Sequence, residues 1–153
     1  MSSFTEGVFL RFDKNSDIAH ITQSFFYHID AKDSPTYIFV DAGFPTDGNS
    51  RPWVFGWLIP QYGRFTKAAV VHDSLYARPY VYRMDEGGFK VTRKSADQIF
   101  HQALIVLGCS KWRAWLIYRA LRVFGGFAWH KHRKSDKGAI TARITKPQTP
   151  EDN

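Results

Sequence analysis

The string Val71-His72-Asp73-Ser74-Leu75-Tyr76 gathers an imidazole, two hydroxyls and a carboxylate in one short segment. Read as a helix, it puts His72 and Tyr76, four residues apart, on one face. Asp73 then points about 100° to the side. A second segment carries Asp97, with His101 four residues later. If two such helices pack antiparallel, Asp97 can accept a ring N–H of His72. That bond fixes the tautomer and leaves the imidazole able to act as a general base. The same residues also suit a buried polar pair with no reaction attached, because a carboxylate beside Ala96 and Ile99 needs a partner wherever it is buried. On the catalytic reading, His72, Asp97 and Tyr76 form the reactive set.

These residues need helices to hold them, and the spacing supplies three. Ala68, Val71 and Leu75 recur with a helical period after Arg64, and Pro79 ends that run. Thr92 or Ser95 can cap a second helix through Ala96, Ile99, Phe100, Ala103 and Leu107, closed by Gly108. Ser110 can cap a third, with Trp112, Leu116 and Val123 facing inward and Arg113, Arg119 and Arg122 partly outward, stopped by Gly125-Gly126. Residues 80–91 read as a hairpin inserted between the first two helices, turning at Gly87-Gly88. Ahead of the helices, 8–12, 18–29 and 37–40 are rich in β-branched and aromatic residues and read as strands. The stretch 41–52 is a loop dense in Gly, Pro, Asn and Asp. The expected fold is α+β: an N-terminal antiparallel sheet followed by three helices, as a single domain over 1–130. Residues 131–153 lose periodicity and read as a basic, Thr- and Pro-containing tail that stays disordered or is ordered by a partner.

The chain has 153 residues, 44% of them hydrophobic and 16% aromatic, enough for a core without metal or disulfide support. Its one cysteine, Cys109, excludes an internal disulfide and a multi-cysteine zinc site. No apolar run approaches the roughly 20 residues of a membrane span, and the first residues lack the pattern of a secretory signal. The expectation is an intracellular product without a transmembrane segment. Charges cancel over residues 1–110 and again over 135–153, so the whole net charge of +7 resides in 111–134. That block holds Lys111, Arg113, Arg119, Arg122, Lys131, Arg133 and Lys134 without a single acid. It is a candidate contact for a polyanion or an acidic partner, with a solvated helix face as the alternative.

Several strings taken together resemble a family of unknown function found in tailed phages and prophages. They are Phe44-x-Thr46-Asp47-Gly48-x-Ser50-x-Pro52, Tyr62-Gly63-Arg64, Ala68-Ala69-Val70-Val71-His72-Asp73-x-Leu75-Tyr76, Ala96-Asp97-x-Ile99-Phe100, Trp112-Arg113-Ala114 and Phe124-Gly125-Gly126-x-Ala128-Trp129. The resemblance covers about residues 40–130, and it implies no activity. Its phage setting implies phage structural proteins as partners and the host cytoplasm, or the virion itself, as location. The His-Asp-x-x-Tyr helix with a distant Asp is also similar to the calcium-dependent secreted phospholipases. That likeness implies that His72 activates a water, that Tyr76 and Asp97 hold it, and that Asp73 binds calcium, with Asp47 in the oxygen-rich loop as a further ligand. The likeness stops at the disulfides those enzymes carry and at their Gly-rich loop directly before the helix. Asp47-Gly48 is equally a tight turn.

Other chemistries fit less well. A His-Asp phosphohydrolase would need His20 or His28 beside His72, Asp73 and Asp97, in an all-helical fold that this N-terminus does not suit. Ser50 lacks a Gly-x-Ser-x-Gly elbow. The expected function is therefore a phage-encoded hydrolase with a phospholipase-like His-Asp site, acting on a phospholipid or related ester with calcium as its cofactor. The alternative is a non-catalytic virion or tail-associated protein that uses its basic helix and tail for protein or membrane contacts. Anionic lipid and phage structural proteins are the expected partners, ahead of nucleic acid.

Overall fold

The first 46 residues supply five strands, a hairpin inserted between the first two of four helices supplies two more, and the seven strands form two small antiparallel sheets. The computed structural model describes residues 4–5, 7–12, 14, 18–46 and 63–136, the side chains of 132–136 excepted. One sheet runs in the order β1 (Leu10–Phe12), β2 (Ala19–Ile21), β5 (Pro45–Thr46). The other runs β3 (Phe25–His28), β4 (Thr36–Val40), β6 (Tyr80–Arg83), β7 (Gly87–Lys90). In the second sheet Phe25 lies opposite Val40 and Tyr27 opposite Ile38, and all four side chains enter the core. Phe26, Phe39, Tyr37 and Tyr82 occupy the other face and pack ring on ring.

The expected strand over 18–29 is two strands in two sheets. Odd-numbered positions point inward from Ala19 to Tyr27, but Gln23 falls on that parity and is exposed. A primary amide has no partner in an apolar core, so the chain bends at Thr22–Ser24 instead of continuing. The inserted hairpin is present, with its turn at Met84–Glu86. Gly87 closes that turn at φ 81°, a conformation that side chains with a Cβ resist.

α1 (Thr66–Ala77) is buried on almost every side, through Ala68, Val70, Val71, His72, Ser74, Leu75 and Tyr76. It is the central element, packed against β4, α2 and α4. α2 (Arg93–Val106) starts at Thr92, whose hydroxyl accepts the Ser95 N–H at 3.2 Å. α3 (Lys111–Phe124) turns Ala114, Ile117 and Leu121 inward, and α4 (Gly126–Asp136) follows after Gly125.

Two expectations need correction here. Trp112 and Val123 face outward and Leu116 is half-buried, because α3 has apolar residues on two opposite faces and the period alone does not choose between them. The stripe with the small residue, Ala114, is the one that lets α3 approach α2 closely. Helical structure also continues past residue 130 to Asp136, since Lys131 to Asp136 contain neither Pro nor Gly to stop it. The remainder of the tail lies outside the described residues. None of the described helices is long and apolar enough to cross a membrane.

Candidate functional site

Asp97 sits on α2 with no solvent exposure, and three other side chains converge on its carboxylate. His72 Nε2 lies 3.1 Å from Oδ1, and the Tyr76 hydroxyl donates to the same oxygen at 2.7 Å. Arg122, from α3, donates to Oδ2 at 2.8 Å. The structure thus brings together His72, Tyr76 and Asp97 as their spacing suggested, and adds Arg122.

Burial alone would raise the Asp97 carboxyl, but the hydrogen bonds from His72, Arg122 and Tyr76 outweigh it and hold the group below its ordinary value. Tyr76 moves the other way: burial first, then the bond to Asp97, push its hydroxyl up, so it remains a donor. The Arg122 guanidinium is likewise held charged by its bond to Asp97. An ionised carboxylate only accepts, so Nε2 of His72 carries the proton in that contact. In the neutral ring Nδ1 then holds the lone pair, and among the described residues it makes no hydrogen bond.

The ring of His72 is fixed from both sides. Its centroid lies 4.1 Å from that of Tyr76 and 4.8 Å from that of Phe100. Trp129 of α4 meets Tyr76 edge-on at 5.1 Å. The side chain of His72 keeps 9% of its surface exposed, a narrow access to solvent. Gly125 completes the packing: a Cβ there would lie 2.8 Å from the Tyr76 hydroxyl oxygen, so only glycine lets the α3–α4 junction close over that phenol.

Asp73 points elsewhere. Its Oδ2 accepts the Thr46 hydroxyl at 2.9 Å, which ties α1 to β5. Asp47, the next residue after Thr46, lies outside the described residues. Among the described residues no three His, Cys, Asp or Glu side chains come together. His20 and His28 lie on different sheets, with Nδ1 facing the carbonyls of Gly43 and Ser34, and His101 packs against Tyr118. Cys109 is buried, and that burial raises its thiol. A cleft of about 330 Å³ opens at the N-terminal end of α1, but its lining includes neither His72 nor Asp97.

The basic block divides. Arg122 keeps 30% of its side chain exposed while its guanidinium pairs with Asp97. Arg113 lies over the Phe65 ring and Arg119 over Trp115. Lys111 and Lys131 are exposed, while the side chains of Arg133 and Lys134 lie outside the described residues. Sequence reasoning missed the site roles of Arg122 and Gly125.

Fold and site together define an α+β domain in which one buried carboxylate on α2 joins a histidine and a tyrosine of α1 to an arginine of α3. The family described as a protein of unknown function (DUF1353) matches residues 19–121, and the chain belongs to it. The matched segment begins earlier than the motifs suggested, taking in β2 and β3, and ends before Gly125-Gly126. No significant match to a curated protein or to a solved structure was found.

Proposed function

We propose that the protein is a hydrolase in which His72 activates a water against a phospholipid or related ester. The observation that carries this reading is the polarised histidine. Nε2 is committed to the ionised Asp97, and Nδ1 has no partner among the described residues. In this mechanism Nδ1 takes a proton from water as the water oxygen bonds to the ester carbonyl carbon. Asp97 stabilises the imidazolium that forms. The imidazolium then returns the proton to the leaving alkoxide as its bond to carbon breaks. Tyr76, Arg122 and Phe100 keep the ring and its carboxylate in place. Asp73, with Asp47, would hold the calcium of this reading, which would supply positive charge beside the ester oxygen.

The phage setting, with the host cytoplasm or the virion as location, rests on the combination of motifs along the chain. A second reading also has an observation in its favour. The bonds to Asp97 join α1, α2 and α3, which is what a structural staple in a virion or tail-associated protein would need.

The test is to incubate the full chain with phosphatidylglycerol vesicles over a range of calcium concentrations, and with a chelator. Release of fatty acid is expected, faster with calcium. No release at any calcium concentration would favour the structural role.

A further inference from the structure

We propose that the outward face of α3, continued at the start of α4, docks on an anionic lipid bilayer. A surface helix normally shows water its polar side. Here Trp112 is 69% exposed, Trp115 56% and Val123 72%, with Arg119 between them. These four fall within about 80° of one another around the helix, opposite the inward stripe of Ala114, Ile117 and Leu121. Gly125 keeps a helical conformation, and Phe127, 83% exposed, lies just beyond it. Within α3 the face from Trp112 to Val123 is about 16 Å long at the helical rise.

The charge around the face selects the occupant. Residues 111–134 contain no acid, and Lys111 and Arg119 stand exposed beside the two tryptophans. The Arg119 guanidinium lies 5.7 Å from the Trp115 ring, a cation set within the apolar stripe. An aromatic and aliphatic stripe flanked by cations is what an interfacial helix uses. The rings enter the boundary between headgroups and acyl chains, and the cations meet the phosphates. A second copy meeting this face symmetrically would set cation against cation. Nucleic acid would engage the cations and leave Val123 and Phe127 in water. A bilayer uses both features.

Docking does not require that His72 be catalytic. A chain that binds vesicles without hydrolysing them would end the hydrolase reading and keep this one.

The experiment is flotation of the full chain with vesicles of phosphatidylcholine alone, and with about one-third phosphatidylglycerol, at low and high salt. Binding to the anionic vesicles should be at least about tenfold tighter than to the neutral ones, and should weaken about tenfold at high salt. Trp112→Ser with Trp115→Ser should weaken it about tenfold or more, and Arg119→Glu by several-fold at low salt, about the effect of reversing one charge at the surface. Both variants should melt with the wild type, because the altered side chains lie outside the core. Absence of vesicle binding at low salt would overturn the proposal, as would undiminished binding by the tryptophan variant. A concentration-dependent dimer in sedimentation, lost in that variant, would give the face to a second copy instead. Binding to polyglutamate as tight as to anionic vesicles would give it to an acidic protein.

Discussion

Asp97→Ala should cost the fold about 3–5 kcal/mol, among the largest losses any single side chain here would produce. The substitution removes an acceptor that three donors share, two of them from α1 and one from α3. His72 and Tyr76 are buried and would lose a partner that water replaces poorly. Arg122 keeps 30% of its side chain exposed and can turn partly to solvent, which sets the loss toward the lower end of that range. For a domain of this length the melting temperature should fall by about 6–12 °C. Acid should erase the difference. A carboxyl held below its ordinary 3.8 contributes its stability fully above that pH, and loses it as pH falls through the depressed value. The gap between wild type and variant should therefore stay constant from neutral down to about pH 4 and narrow below it. Chemical denaturation across pH measures both. A loss under about 1 kcal/mol at neutral pH would mean that the cluster does not hold the helices together.

His72→Gln should lower hydrolysis by about 10²–10⁴-fold while the protein remains folded. Glutamine fills similar space and can still donate to Asp97, but it has no lone pair basic enough to take a proton from water. The loss should fall on kcat more than on KM, because in the proposed mechanism Nδ1 acts in the chemical step and not in holding the lipid. Tyr76→Phe should show a smaller loss, since that hydroxyl reaches the reaction only through Asp97. Steady-state rates on phosphatidylglycerol, set beside melting curves of the same samples, separate these effects. Equal loss of activity and of folded protein in both variants would assign the cluster to stability alone.

The core of the site was legible because a helix converts sequence spacing into direction. Residues 72 and 76 share a face by period alone, and a carboxylate at 97 flanked by Ala96 and Ile99 had to find a donor. Arg122 was not legible in the same way. It belongs to a run of cations, and such runs are usually read as surface, whereas its true direction depends on which of two apolar stripes α3 buries. That choice is made by the fit of Ala114, Ile117 and Leu121 against neighbouring helices, a tertiary fact with no local signature. The same ambiguity placed Trp112 and Val123 inside when they lie outside. Gly125-Gly126 read as a helix stop, and Gly125 does mark the end of α3. Its closer role, making room for the Tyr76 hydroxyl, depends on a residue far away in the chain. In the sheets, β-branched and aromatic composition marked the strands without choosing their buried faces, and the break between β2 and β3 followed from one amide, Gln23, on the wrong parity.

Asp97 orients His72 through Nε2 and leaves Nδ1 unprotonated in the neutral ring, and nitrogen NMR of the imidazole tests this without reference to any substrate. With the ring neutral, the account predicts a proton on Nε2, shielded from exchange by its bond to Asp97, and a bare Nδ1. A neutral ring protonated on Nδ1, with Nε2 as the acceptor, would contradict it, because the carboxylate would then have to donate the proton that its other partners require it to lack.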